Sequence, residues 1–236
     1  MPRVFTIGET VYDIIFKDGE PVASRPGGSM LNTAVSLGRL GVDVYLISEF
    51  GPESELLGRK INEFLTDNQV NTRYSNREDN GKTTVALAFL DNENDAAYSF
   101  YKIPPLNRLN YPEVNIEPDD IVLFGSFFSI TAELYPFIEA FLRKAVKSEA
   151  IIIYDPNFRK PHLADLPMLK PMIMSNFRYP DIIRGSDNDF HLLFNARNAD
   201  DAFRTINSEC SASLIYTMNR NGVELYSFNS RLHVPA

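Results

Sequence analysis

Two adjacent glycines, Gly27 and Gly28, stand just before an apolar, helix-like stretch in R-P-G-G-S-M-L-N-T-A-V-S-L-G-R-L-G, Arg25 to Gly41. Glycine belongs where the chain turns tightly or where something approaches the backbone closely. The free N–H groups at a helix start offer donors to a ligand. Asn32, one turn in, carries both a donor and an acceptor, which suits a hydroxyl-rich molecule. Two readings stand side by side: a corner the chain makes for itself, or room for a ligand. The G-x-G-x-x-G spacing of a dinucleotide fingerprint is absent.

Three further stretches carry chemistry. Asp13 lies between Tyr12 and Ile14 in an apolar run, where a carboxylate is costly unless solvated or paired. It either points to water or accepts hydrogen bonds from a polyol. Asp155-Pro156-Asn157-Phe158-Arg159 follows a strongly apolar run, so it falls at a strand's carboxyl end, where open parallel sheets bind ligands. Asp and Asn beside Pro are also ordinary turn chemistry. Tyr98-Ser99-Phe100-Tyr101-Lys102 is an aromatic stretch that either covers a ligand or packs a hairpin.

These groups must be positioned by a scaffold, and the apolar spacing predicts one. Strands are expected at Val4–Ile7, Val11–Phe16, Val42–Ile47, Ile121–Phe124, Ala150–Tyr154, Asp181–Ile183, Ser213–Thr217 and Val223–Phe228. Ser29 reads as the N-cap of a helix with Met30, Ala34, Leu37 and Gly41 on one face, Leu31, Val35 and Gly38 beside them, and Asn32, Ser36 and Arg39 opposite. Further helices are expected around Leu57–Leu65, Leu134–Val146, Leu166–Asn176, Ala199–Ser208, and from a Ser186 cap to Phe194. Lys17-Asp18-Gly19 and Asn219–Gly222 are turns. Alternating strands and helices imply a mostly parallel, covered sheet, an α/β fold. Residues 11–25 and 83–101 break that rhythm and read as a small antiparallel flap, the later pair of strands joined by the polar turn Asp91-Asn92-Glu93-Asn94-Asp95.

Composition narrows the function. A net charge of −8 over 236 residues argues against a sequence-independent nucleic-acid binder. One cysteine, Cys210, forbids an internal disulfide and fits a reducing, cytoplasmic setting; it reads as a small apolar filler. His162, His191 and His233 are scattered and form no metal-ligand pattern. No apolar run approaches the roughly 18 residues of a membrane helix, and no signal-peptide pattern opens the chain.

Taken in order, these stretches resemble the ribokinase-like sugar kinases, the PfkB family of carbohydrate kinases. The resemblance runs through Gly8-Glu9, Asp13, the glycine stretch, the Thr83 to Lys102 hairpin and D-P-N-F-R-K-P. It continues through G-S-D-N-D-F-H-L-L-F (Gly185 to Phe194) and I-Y-T-M-N-R-N-G-V (Ile215 to Val223), nearly the whole chain. In look it is nearest to fructokinases and 2-keto-3-deoxygluconate kinases. It implies a single ribokinase-like α/β domain over 1–236 with a β-sheet lid, and ATP-dependent phosphorylation of a hydroxyl of a small sugar or sugar acid. By resemblance Asp13, Gly27, Gly28 and Asn32 hold sugar hydroxyls, and Tyr101, Lys102 and Arg159 are lid and floor contacts. Ser186 and Asp189 take the places of the family's Asn-x-x-Glu element, which organises magnesium and phosphates. Thr217 and Asn219 fall where nucleotide phosphates are approached, and the family usually has Gly at the position of Asn219. ATP and Mg2+ are the implied cofactors, with no direct metal ligand in the chain, and a homodimer through the lid strands is the implied assembly.

The family's second signature, D-T-x-G-A-G-D, is expected shortly after His233-Val234-Pro235 and is absent. It supplies an anion hole and the catalytic base, so the base is expected beyond Ala236 and the chain is expected to represent part of a longer kinase. The competing expectation is a catalytically dead sugar- or nucleotide-binding protein, since phosphoryl transfer depends on both positioning and charge stabilisation.

Overall fold

The computed structural model describes residues 2–91, 96–228 and 230–236, so the turn expected at Asp91–Asp95 lies, from residue 92 on, outside the described residues. It forms two compact units, Met1–Asn115 and Ile116–Ala236.

The first unit opens with β1 (Val4–Ile7), a fully buried strand. β2 (Val11–Lys17) and β3 (Glu20–Gly27) form an antiparallel hairpin. Asp18 and Gly19 both have positive φ, and Lys17 pairs with Glu20 across them. That is the two-residue turn whose twist matches the strands, and Asp-Gly is a favoured sequence for it. The chain continues through α1 (Ser29–Arg39), β4 (Val44–Ile47), α2 (Leu56–Asp67) and the two-residue β5 (Val70–Asn71). β1, β4 and β5 lie parallel with β4 in the middle. α1 packs Met30, Leu31, Ala34, Val35 and Gly38 inward, while Asn32, Ser36 and Arg39 are exposed. Phe5 stacks on Tyr45 at 5.4 Å in this core.

β6 (Lys82–Leu90) and β7 (Ala96–Ile103) complete a separate sheet in the order β3-β2-β6-β7. It is not the wholly antiparallel flap expected from the sequence, because β2 and β6 run parallel. A parallel pair needs a long crossover, and the segment carrying α1 and α2 supplies one.

The second unit contains β8 (Ile121–Gly125), α3 (Tyr135–Lys147), β9 (Ile151–Asp155), α4 (Leu166–Asn176), β10 (Ile182–Ser186), α5 (Asp187–Phe194), α6 (Ala199–Asn207), β11 (Ser213–Thr217), β12 (Val223–Ser227) and β13 (Ser230–Val234). β8 to β11 are parallel neighbours, and β12 and β13 add antiparallel at one edge. The core is aromatic: Phe124 stacks on Tyr154 at 4.6 Å, Phe177 meets Tyr154 edge-on at 5.3 Å, and Phe190 stacks on Tyr216 at 5.6 Å. β10 runs three residues past its expected end. Arg184 and Gly185 look like loop residues, yet both stay in the ladder opposite Ile215 and Tyr216. The molecule is thus α/β, with mostly parallel strands and one smaller sheet, as expected. No helix among the described residues is long and apolar enough to cross a membrane.

Candidate functional site

In the first unit the glycine corner is occupied by the chain's own atoms. A Cβ on Gly27 would lie 2.0 Å from Oδ2 of Asp13. Gly28 has φ +118°, and a Cβ there would lie 2.0 Å from the carbonyl oxygen of Glu9. Gly27 therefore makes room for the Asp13 carboxylate, and Gly28 for the Glu9 backbone. Both glycines are required whether or not a ligand is bound. Gly28, not Ser29, is the N-cap of α1. The backbone turns one residue early because only Gly28 can take that φ, so Ser29 is already helical. Its Oγ is enclosed with no hydrogen-bond partner among the described residues.

Asp13 is held rather than solvated. Arg25 faces it across β3 and Ala86, fully buried, across β6. Burial pushes its carboxyl above the usual range, Arg25 pulls it back in part, and Glu9 pushes it up further. A half-buried carboxylate beside a second one is a strong acceptor for hydroxyl donors, which relieve both desolvation and repulsion.

Strand alternation separates the two expected lid contacts. Asp13, Ala86 and Phe100 share one register position across β2, β6 and β7, so they share a face. Lys102, two residues beyond Phe100, is on that face, and its Nζ donates to Oε1 of Glu9 at 2.6 Å. Tyr101 pairs with Val85 and points to the opposite face, where it is largely exposed. Thus Glu9, Asp13, Gly27, Gly28 and Lys102 come together, with Asn32 exposed one turn into α1, and Tyr101 does not join them.

Behind them the root of β6 is anchored. Oε2 of Glu55 accepts from the Thr83 N–H at 2.9 Å and from its hydroxyl at 2.6 Å, and Thr83 Oγ1 accepts from the Gly51 N–H at 3.0 Å.

In the second unit Asp155 closes β9. Its Oδ2 accepts from Arg184 Nη1 at 2.8 Å and its Oδ1 from the Asn157 N–H at 3.1 Å. Burial raises its carboxyl above the usual range against the pull of Arg184, with Asp189 adding a further push. Asn157 has positive φ, Phe158 is buried, and Arg159 is exposed. The D-P-N-F-R turn thus anchors Asp155 and Phe158 and presents Arg159 outward.

Ser186 and Asp189 form a reciprocal cap on α5. Ser186 Oγ accepts from the Asp189 N–H at 3.2 Å, while Asp189 Oδ2 accepts from the Ser186 N–H at 2.8 Å and its hydroxyl at 2.6 Å. This is the capping box that Ser-x-x-acid spacing makes, and it engages Oδ2 of Asp189. Thr217 Oγ1 donates to the Gly185 carbonyl at 3.3 Å and lies 3.5 Å from Arg184 Nη2. Asn219 is exposed with φ +47°. Asn is the side chain that best tolerates the left-handed region after Gly, so the backbone shape that a glycine would give is kept.

Sequence reasoning missed three participants. Glu9 stands out in the sequence only through the family resemblance, and its partner is 93 positions away. Arg184, just past the expected end of a short strand, donates to Asp155 and lies 3.5 Å from Thr217 Oγ1. Glu55 gave no local signal at all. Among the described residues no three His, Cys, Asp or Glu side chains come together to hold a metal ion.

A model of the pfkB family of carbohydrate kinases matches residues 1–236. The chain is 24% identical to probable fructokinase-2 of Arabidopsis thaliana over 236 residues, 95% of this chain and 71% of that one. It is 26% identical to probable fructokinase-3 of the same plant, covering 81% of this chain and 56% of that one, and 26% identical to its chloroplastic probable fructokinase-6, covering 98% and 64%. The chain thus spans 56–71% of the length of these relatives. Among solved structures, Vibrio cholerae fructokinase bound to fructose, ADP and calcium ion superposes with a TM-score of 0.84 at 19% identity, covering 100% of this chain and 77% of that one. An uncharacterized sugar kinase from Pyrococcus horikoshii in complex with ATP gives 0.82 at 22% identity, covering 99% and 76%. At these identities the structures speak for the fold.

Proposed function

The chain belongs to the pfkB family of carbohydrate kinases, and from that premise we propose that it serves ATP-dependent phosphorylation of a hydroxyl of a small sugar. Fructose is the first candidate, because the relatives named above are fructokinases. The observation that carries the sugar side is Asp13, a half-buried carboxylate lodged in the space that Gly27 leaves open. It accepts hydrogen bonds from sugar hydroxyls, and Asn32, exposed on α1, adds a donor and an acceptor. The neighbouring β-sheet excludes water from the sugar, which suppresses hydrolysis of ATP. Arg159 is an exposed cation at the end of the turn after β9.

On the nucleotide side, Thr217 and Asn219 approach the phosphates. Ser186 and Asp189 contribute by fixing the start of α5, so their role is to position backbone rather than to hold a metal. The described residues do not fit a dedicated magnesium site: Asp155 is paired with Arg184 and Oδ2 of Asp189 is taken by its cap. Magnesium is accordingly assigned to the ATP phosphates themselves, in keeping with its preference for phosphate and water ligands. No residue of this chain is assigned the role of the base that activates the sugar hydroxyl.

A homodimer through the smaller sheet is part of the proposal, supported by Phe89, Tyr101 and Ile103 exposed on the face opposite Asp13. Light scattering on wild type and Tyr101→Lys tests it, a dimer that becomes monomeric being expected and an unchanged monomer sinking it. A cytoplasmic setting is proposed on the single cysteine. The kinase reading itself is tested by coupled detection of ADP over a panel of sugars with the full-length protein. Sugar-dependent ADP release is expected, and ADP release that ignores every sugar contradicts the reading.

A further inference from the structure

We propose that Glu9 is a specificity-determining residue, which reserves the sugar side for neutral sugars by occupying Lys102 and repelling a sugar's carboxylate; this rests on the sugar-kinase reading above. A sugar acid needs a cation for its carboxylate, and Lys102 is the cation on the Asp13 face of β7. Its ammonium is a compact point charge of the kind that recognises carboxylates. Here that charge is met by Glu9 at 2.6 Å, in a pair that is only partly exposed on both sides.

An incoming carboxylate would have to displace Glu9 and then sit beside two carboxylates of like charge. The two already sense each other, since Glu9 contributes to the raised carboxyl of Asp13. Glu9 is also unable to retreat by moving its backbone. Its carbonyl fills the space over Gly28, and the neighbouring Thr10 hydroxyl accepts from buried Ser48 at 2.7 Å. A neutral polyol meets none of this opposition. Its hydroxyls donate to Asp13 and Glu9. The same side chains that welcome hydroxyls therefore exclude an acid.

The test is calorimetric binding of D-fructose and 2-keto-3-deoxy-D-gluconate to the full-length protein, with thermal melts alongside. Wild type is expected to favour fructose. Glu9→Gln keeps the shape and the hydrogen bond to Lys102 but removes the charge, so the affinity ratio moves toward the acid by about tenfold. Lys102→Met in the Glu9→Gln background abolishes that gain, because the freed cation is gone. Lys102→Met alone leaves the preference for fructose at least as strong, which keeps the idea testable even if Glu9→Gln misfolds. An unchanged ratio in well-folded Glu9→Gln overturns the proposal, as does a wild type that prefers the acid or a Lys102→Met that gains acid affinity. Fructose binding with an unchanged ratio defeats this inference alone; a wild type that binds no sugar defeats the kinase reading and this inference with it.

Discussion

The glycine corner of the first unit and the strand-end cluster of the second both hold a raised carboxylate, yet they dispose of it differently. Asp155, although Asp189 adds a push, is answered by its own surroundings: Arg184 and the Asn157 N–H. Asp13 is crowded by Glu9 and set over a glycine, and only Arg25 opposes the push. A polar group satisfied by the fold is a structural part. A polar group kept under-satisfied at a cost is where a ligand has something to gain. On the proposed reading, Asp155, Ser186 and Asp189 in the second unit are structural parts, while Asp13 in the first unit is left with something for a ligand to satisfy.

The sharpest way to break this contrast is at the corner itself. Gly28→Val places a β-branched residue at φ +118° with its Cβ against the Glu9 carbonyl, and about 3 kcal/mol or more of stability is expected to vanish. A urea midpoint within error of wild type would show that the corner is not as tight as described. In the second unit, Ser186→Ala removes a reciprocal cap and is expected to cost about 1 kcal/mol, with ATP affinity changed only a few-fold. A large loss of ATP affinity at unchanged stability would make Ser186 a direct contact instead.

The raised carboxyls fix the sign of a pH effect. Asp13 and Asp155 bind protons more tightly in the folded state than at the ordinary value of 3.8. Their protonation therefore favours folding; that benefit is full below 3.8 and is lost as pH rises through their higher folded values. Asp13→Asn takes Asp13 out of this linkage. The variant is expected to be at least as stable as wild type at neutral pH, with the difference shrinking as the solution is acidified toward pH about 4. Chemical denaturation at several pH values checks this, and a variant destabilised equally at every pH speaks against it. The smallest effect belongs to Arg159→Ala, an exposed side chain, for which stability should stay within about 0.5 kcal/mol of wild type; a larger loss would mean that the turn relies on its guanidinium.

Much of the scaffold was legible because its signals are local. α4 and β11 fall at their expected ends, and α1 buries most of the expected stripe, with Leu37 half-buried and Gly41 exposed beyond the helix end, since apolar periodicity and turn residues act within a few positions. β5 and β13 were not legible: one has two residues, and the other, Ser-Arg-Leu-His-Val, is exposed throughout and forms only by pairing with β12. The candidate site was legible as residues and not as geometry. Asp13, Gly27 and Gly28 were singled out, but that the carboxylate fills the space over Gly27 is a cross-strand fact. The Glu9–Lys102 pair depends on how β7 lies against the β1–β2 corner. Tyr101 and Lys102 are neighbours in sequence and opposites in space, a consequence of register that one strand alone does not disclose.

The most direct test of the claim that this corner is the sugar side is calorimetric titration of D-fructose into the full-length wild type and Asp13→Asn at neutral pH. The account predicts binding to wild type and an affinity at least about tenfold weaker in the variant, in a protein that melts no lower. Equal affinities in two equally folded proteins would contradict it.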